Sequence, residues 1–167
     1  MTHEFRTMLE MFQCAAHGTN CSADADVDFL KLKQKAIEHG TWEVLFENYK
    51  DLFLKKHTDE TAVKCMEKET QMVLARIVRD IRKKEVLKSI LSECKENGIV
   101  CILLKGFFFA QLYAEPDFRI SGDIDLYIDE KCEEKVVGIL SQHGFNCAKR
   151  LKTEYHRECM SKTIGLI

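Results

Sequence analysis

Near residue 98 the hydrophobic rhythm of this chain changes, and the change limits what the chain can fold into. Upstream, apolar residues recur at three- and four-residue steps, the period of an amphipathic helix. Downstream, short apolar runs alternate with amphipathic segments. Residues 3–16 carry Phe5, Met8, Leu9 and Phe12 at helical spacing, and "GTNCSADAD" (18–26) is a turn-rich loop ending in N-capping residues. Residues 27–38 and 41–55 predict a helical hairpin broken at Gly40. Its second arm bears a stripe of Trp42, Leu45, Phe46, Tyr49, Leu52 and Phe53 that reads as core packing. Residues 60–96 predict one long helix, or two with a bend, turning Val73, Ile77, Ile81, Leu87, Leu91 and Cys94 inward and ending at Gly98. The charge cluster "RDIRKKE" (79–85) reads as a solvated face, the alternative being a basic rim beside an anionic substrate.

Beyond the change, "IVCILL" (99–104) predicts a buried strand and "KGFFFAQLYAE" (105–115) a helix stopped by Pro116. "DIDLYI" (123–128) predicts a second strand, residues 130–144 a helix stopped at Gly144, "FNCAKRL" (145–151) a third strand, and residues 155–167 a fourth. The expected class is α+β: a small mixed β-sheet flanked by helices over residues 98–167, preceded by an all-helical region over 1–97. Because the chain ends mid-pattern on "TIGLI", the expectation is a fragment cut inside or just before a strand.

Composition excludes several classes. The net charge is −2, so no duplex DNA or anionic membrane partner is expected from bulk electrostatics. No apolar run approaches the ~20 residues that span a bilayer. The N-terminus is charged and amphipathic instead of signal-like. The eight cysteines form no C-x-x-C and no zinc-finger spacing. They read as small hydrophobes in a reducing cytoplasm, not as metal ligands or disulfides.

The chemistry concentrates in "RISGDIDLYI" (119–128). Side chains alternate along a strand, so Asp123 and Asp125 project to one face while Ile124 and Leu126 point to the core. Two close carboxylates repel, and a shared hard cation relieves them. Carboxylate oxygens suit Mg²⁺, with Mn²⁺ as a substitute, and Mg²⁺ usually bridges to phosphates. Gly122 permits close approach of a phosphate, Ser121 offers a hydroxyl, and Arg119 offers a fork of donors. Upstream, Lys105 and Gly106 lie at a strand-to-helix turn whose amides can cradle a phosphate. Each residue alone has a plainer reading. D-x-D is common in turns before strands, Arg119 could pair with Asp117 or Glu115, and Lys105 could be a solvated strand end. The combination carries the reading.

"LLKG", then a helix, then "R-x-S-G-D-I-D-L" resembles the nucleotidyltransferases of the DNA polymerase beta superfamily, and most of all an uncharacterised branch with the pattern "KG…R…GDIDLLV". The resemblance covers about residues 98–150. It implies a Mg²⁺-dependent transfer of a nucleoside monophosphate from a nucleoside triphosphate to a hydroxyl-type acceptor of unknown identity. Asp123 and Asp125 match the first two metal-binding, catalytic carboxylates. Lys105, Gly106, Arg119, Ser121 and Gly122 would hold the triphosphate. Where the superfamily's phosphate turn has serine after glycine, this chain has Phe107 after Gly106. The third carboxylate of the family is expected on a strand following "TIGLI", although Glu154 and Glu158 lie in the same general region. The alternative from a different class is a catalytically incomplete nucleotide-binding or interaction protein on the same fold. A phosphoacceptor domain is a weaker third, because it needs a β/α alternation that the first 95 residues lack.

Overall fold

The computed structural model describes residues 2–19, 21, 26–104, 106–148, 159–161 and 165–166, with residues 106–107 and 165–166 in backbone only. Among the described residues there are six α-helices: α1 (His3–His17), α2 (Phe29–Glu38), α3 (Trp42–Lys56), α4 (Glu60–Glu96), α5 (Gly106–Ala110) and α6 (Glu133–Gln142). The strands are β1 (Cys101–Leu104), β2 (Asp125–Ile128), β3 (Asn146–Cys147), β4 (Cys159–Ser161) and β5 (Gly165–Leu166). The class is α+β with a helical N-terminal region, and the strand pairings among the described residues are all antiparallel. No described helix is long and apolar enough to cross a membrane. By spatial grouping, Met1–Val78 with Ala110–Ile120 makes one compact unit, and Arg79–Phe109 with Ser121–Ile167 makes another.

In the first unit α1, α2 and α3 pack pairwise. Met8, Met11, Leu32, Leu45, Phe46 and Val73 are buried, as is most of the aromatic stripe of α3. Leu9, by contrast, is exposed, and Thr7 takes a buried place with its hydroxyl donating to the His3 carbonyl. Asp28 caps α2, its carboxylate accepting from the Leu30 and Lys31 amides. Arg76 of α4 pairs with Glu43 of α3 at 2.8 Å.

The second unit is built around Ile90, Cys94, Ile99, Val136, Ile139, Leu140, Phe145 and Cys159. Two helix ends organise it. Gly98 and Gly144 adopt the left-handed conformation (φ 70° and 83°) that closes α4 and α6. The next amides, of Ile99 and Phe145, then bond back to the Cys94 and Leu140 carbonyls. This is the 6→1 closure expected of a glycine-terminated helix, and its apolar following residue is buried in both cases.

Three expectations are corrected. The helix over 105–115 is only the single turn Gly106–Ala110. Past it, within the first unit, Tyr113 packs edge-on against Phe12 and the Ala114 amide donates to the Ala16 carbonyl, which takes the chain out of helix. The "RDIRKKE" cluster is only in part a solvated face: Arg79, Arg82 and Glu85 are exposed, but Asp80 and Lys83 are buried. The buried stripe of α4 runs Val73, Ile77, Asp80, Lys83, Leu87, Ile90, Cys94, and Ile81 sits beside it. The cysteines are not uniformly free thiols. Cys147 of β3 lies directly opposite Cys159 of β4 in register, and the two form a disulfide. Cys94 fits the expected role of a buried small hydrophobe.

Candidate functional site

β1 and β2 pair so that Leu104 faces Asp125, Leu103 faces Leu126, Ile102 faces Tyr127 and Cys101 faces Ile128. One face of this ribbon, with Cys101 and Ile128, packs on the core of the second unit. The other face presents Ile102, Leu104, Asp125 and Tyr127, all exposed. The alternation extends upstream of β2: Asp123 is exposed and Ile124 is buried at 5%. Asp123 and Asp125 therefore share the open side, as their spacing predicts. Neither carboxylate takes a hydrogen bond or ion pair among the described residues. Farther along this face an open hollow of about 390 Å³ is lined by Val100, Ile102, Tyr127, Asp129 and Glu130.

The strand begins at Asp125, two residues later than expected. A turn held from α4 precedes it. The Ser121 amide donates to Asp80 Oδ1 at 3.3 Å, and Lys83 Nζ donates to the Ser121 carbonyl and, at 3.0 Å, to the Gly122 carbonyl. The Ser121 hydroxyl donates to the Asp123 carbonyl at 3.2 Å. The described ladder itself ends at Leu104, the last residue of β1, opposite Asp125.

The charges that hold the turn are themselves paired. Lys83 Nζ lies 3.2 Å from Asp80 Oδ1, with the side chains 6% and 1% exposed. Lys84 Nζ lies 3.2 Å from Asp80 Oδ2. A buried ammonium or carboxylate is tolerated only with such compensation. Sequence reasoning missed both residues. The available signal was spacing: Asp80 and Lys83 continue the three- and four-residue steps of the inward stripe, although neither is apolar.

The structure brings Ser121, Gly122, Asp123 and Asp125 together as one turn and strand entry. Gly106 opens α5, which at five residues has no extended dipole to offer a phosphate. Lys105 lies outside the described residues. Arg119 falls in the first unit, and its guanidinium donates to the Ile120 carbonyl at 2.6 Å. Glu154 and Glu158 also lie outside the described residues. Among the described residues no three His, Cys, Asp or Glu side chains converge on a metal position.

A small antiparallel ribbon backed by helices, with paired acids at the start of its second strand, makes the fold α+β and nucleotidyltransferase-like. The sequence model of the family described as "Uncharacterised nucleotidyltransferase" matches residues 25–165, and the chain belongs to that family. No curated protein and no solved structure matches the chain.

Proposed function

We propose that the protein transfers a nucleoside monophosphate from a nucleoside triphosphate to a hydroxyl-type acceptor, with Mg²⁺ as the physiological ion and Mn²⁺ as a substitute. The observation that carries this reading is the pair of exposed carboxylates, Asp123 and Asp125, on one open face with no protein partner among the described residues. Two acids with free oxygens fit a hard cation that completes its shell with water and phosphate oxygens. That ion, when bound, supplies charge neutralisation for the triphosphate and the departing pyrophosphate. The chain's own contribution is positioning. Asp123 and Asp125 hold the ion, and Lys105, Gly106, Ser121 and Gly122 orient the phosphates. The apolar face that Asp125 shares with Ile102, Leu104 and Tyr127 supports the uncharged part of the nucleotide or acceptor and keeps water from it. A supply of nucleoside triphosphate and Mg²⁺ suits a cytoplasmic setting.

Calorimetric titration of nucleoside triphosphates with Mg²⁺ or Mn²⁺ tests the proposal, alongside an Asp123→Asn/Asp125→Asn variant. Metal-dependent binding that disappears in a folded variant is the expected result. Absence of binding in both proteins overturns it. Binding without pyrophosphate release in the presence of candidate acceptors favours the catalytically incomplete alternative.

A further inference from the structure

We infer that the Asp80–Lys83 pair of α4 is a positioning device for the nucleotidyl-transfer site: it fixes the Ser121–Gly122 turn, and thereby where Asp123 stands relative to Asp125. The inference rests on the reading of those two acids as the metal-binding pair.

Lys83 Nζ donates two hydrogen bonds, to the Gly122 carbonyl at 3.0 Å and to the Ser121 carbonyl, and lies 3.2 Å from Asp80 Oδ1 as an ion pair. An ammonium so engaged, with its side chain 6% exposed, is turned to the turn's backbone and to Asp80 and away from solvent, where a phosphate would arrive. Its place next to the phosphate-binding turn is therefore not that of a ligand. Asp80 completes the grip by accepting from the Ser121 amide while its other oxygen meets Lys84. Three backbone polar groups of the turn, the Ser121 N–H and the Ser121 and Gly122 carbonyls, are thus held from one helix face.

Burying this pair is a poor way to stabilise a core, since well-packed apolar residues of similar volume generally do as well or better. Apolar residues could not hold three backbone groups. What the charges add is a specified backbone path. That path leads into a turn whose own backbone is permissive, because Gly122 has no packing neighbour at its Cβ position. Without the tether, the segment carrying Asp123 would keep only the Ser121 hydroxyl contact to the Asp123 carbonyl and the burial of Ile124 before the ladder begins at Asp125.

The test uses the full chain and the variant Asp80→Asn/Lys83→Met, which removes both charges together, keeps the volumes, and leaves an oxygen for the Ser121 amide. Asp80→Leu/Lys83→Met serves as a second, fully apolar pair. Two quantities are read: amide hydrogen exchange over residues 121–125, and Mn²⁺ affinity by electron paramagnetic resonance with a non-hydrolysable nucleoside triphosphate present. The relevant Mn²⁺ signal is the one that Asp123→Asn/Asp125→Asn abolishes. The expected result is a folded variant with exchange at least tenfold faster in the turn and Mn²⁺ bound about tenfold more weakly. Unchanged exchange in a folded variant refutes the tether, and faster exchange with unchanged Mn²⁺ affinity refutes the positioning role. Loss of the fold in both variants also overturns the inference, because the network would then be a requirement of the core. If the unmodified protein binds no Mn²⁺ at these acids, the proposed function fails and takes the positioning role with it, while exchange still reports whether the tether exists.

Discussion

Gly122 separates two demands that a glycine can answer, backbone conformation and room for a ligand. Its φ is outside the left-handed region, and a Cβ built on it meets no heavy atom within 4 Å. The protein itself therefore does not require glycine at this position. Replacing glycine with alanine at a site the new residue can adopt narrows the unfolded ensemble and stabilises by about 0.4–1 kcal/mol. For a chain of this length that corresponds to roughly 1–4 °C in melting temperature. Lys83 would keep its bonds, because it grips carbonyls and not the Cα substituent. If a triphosphate rests on this turn, the new methyl occupies the approach. A loss of about tenfold in nucleotide affinity, some 1.4 kcal/mol, is the least expected. Urea denaturation and calorimetric nucleotide titration of Gly122→Ala should give opposite signs: slightly more stable and clearly weaker binding. Wild-type affinity would show that no phosphate approaches Gly122. A destabilisation above about 1 kcal/mol would show that the turn does need glycine, contrary to the permissive environment found.

Three further outcomes are expected. Gly138 sits inside α6 with open space at its Cβ position, so Gly138→Ala should raise stability by about 1 kcal/mol in urea denaturation, and no gain would mean the helix is strained there. Burial, followed by the negative charges of Glu69, Cys65 and Asp28, pushes the Tyr49 hydroxyl up to about 12 from 10.0. The folded state then holds a proton that the unfolded chain has released. Stability should fall as pH rises from 10 towards 12, by up to about 3 kcal/mol, and Tyr49→Phe should remove that slope. Burial and the neighbouring Cys101 thiol push Cys94 to about 12, so iodoacetamide near neutral pH should label exposed Cys65 and spare Cys94, as mass spectrometry would read; equal labelling would contradict the packing.

The parts legible in the sequence were those set by local periodicity and punctuation. Gly98 and Gly144 announced helix ends because a left-handed residue followed by an apolar one is a local device, needing nothing from the rest of the fold. The shared face of Asp123 and Asp125 was legible because side-chain alternation is intrinsic to extended chain. What escaped was set by partners distant in sequence. Asp80 and Lys83 are buried because residues 121–122 offer them backbone groups about forty positions downstream, and hydrophobicity gives no hint of that. The Cys147–Cys159 bond follows from strand register, which a sequence separation of 12 does not reveal. The helix after Gly106 stops early because Tyr113 and Ala114 find partners in α1, a tertiary choice that overrides local pattern.

The pairing of β1 with β2 imposes a parity rule on any change of length in this stretch. With Leu104 opposite Asp125 and Ile102 opposite Tyr127, the acids are outward only in phase with Tyr127. A single residue inserted between Asp125 and Tyr127 would carry both carboxylates towards Ile128 and the core, and send Ile124 to solvent. Two inserted residues would restore the phase. Length variation between Asp125 and Tyr127 should therefore be tolerated in even steps and lethal to the site in odd ones. By contrast, a loop unpaired with any strand carries no such arithmetic.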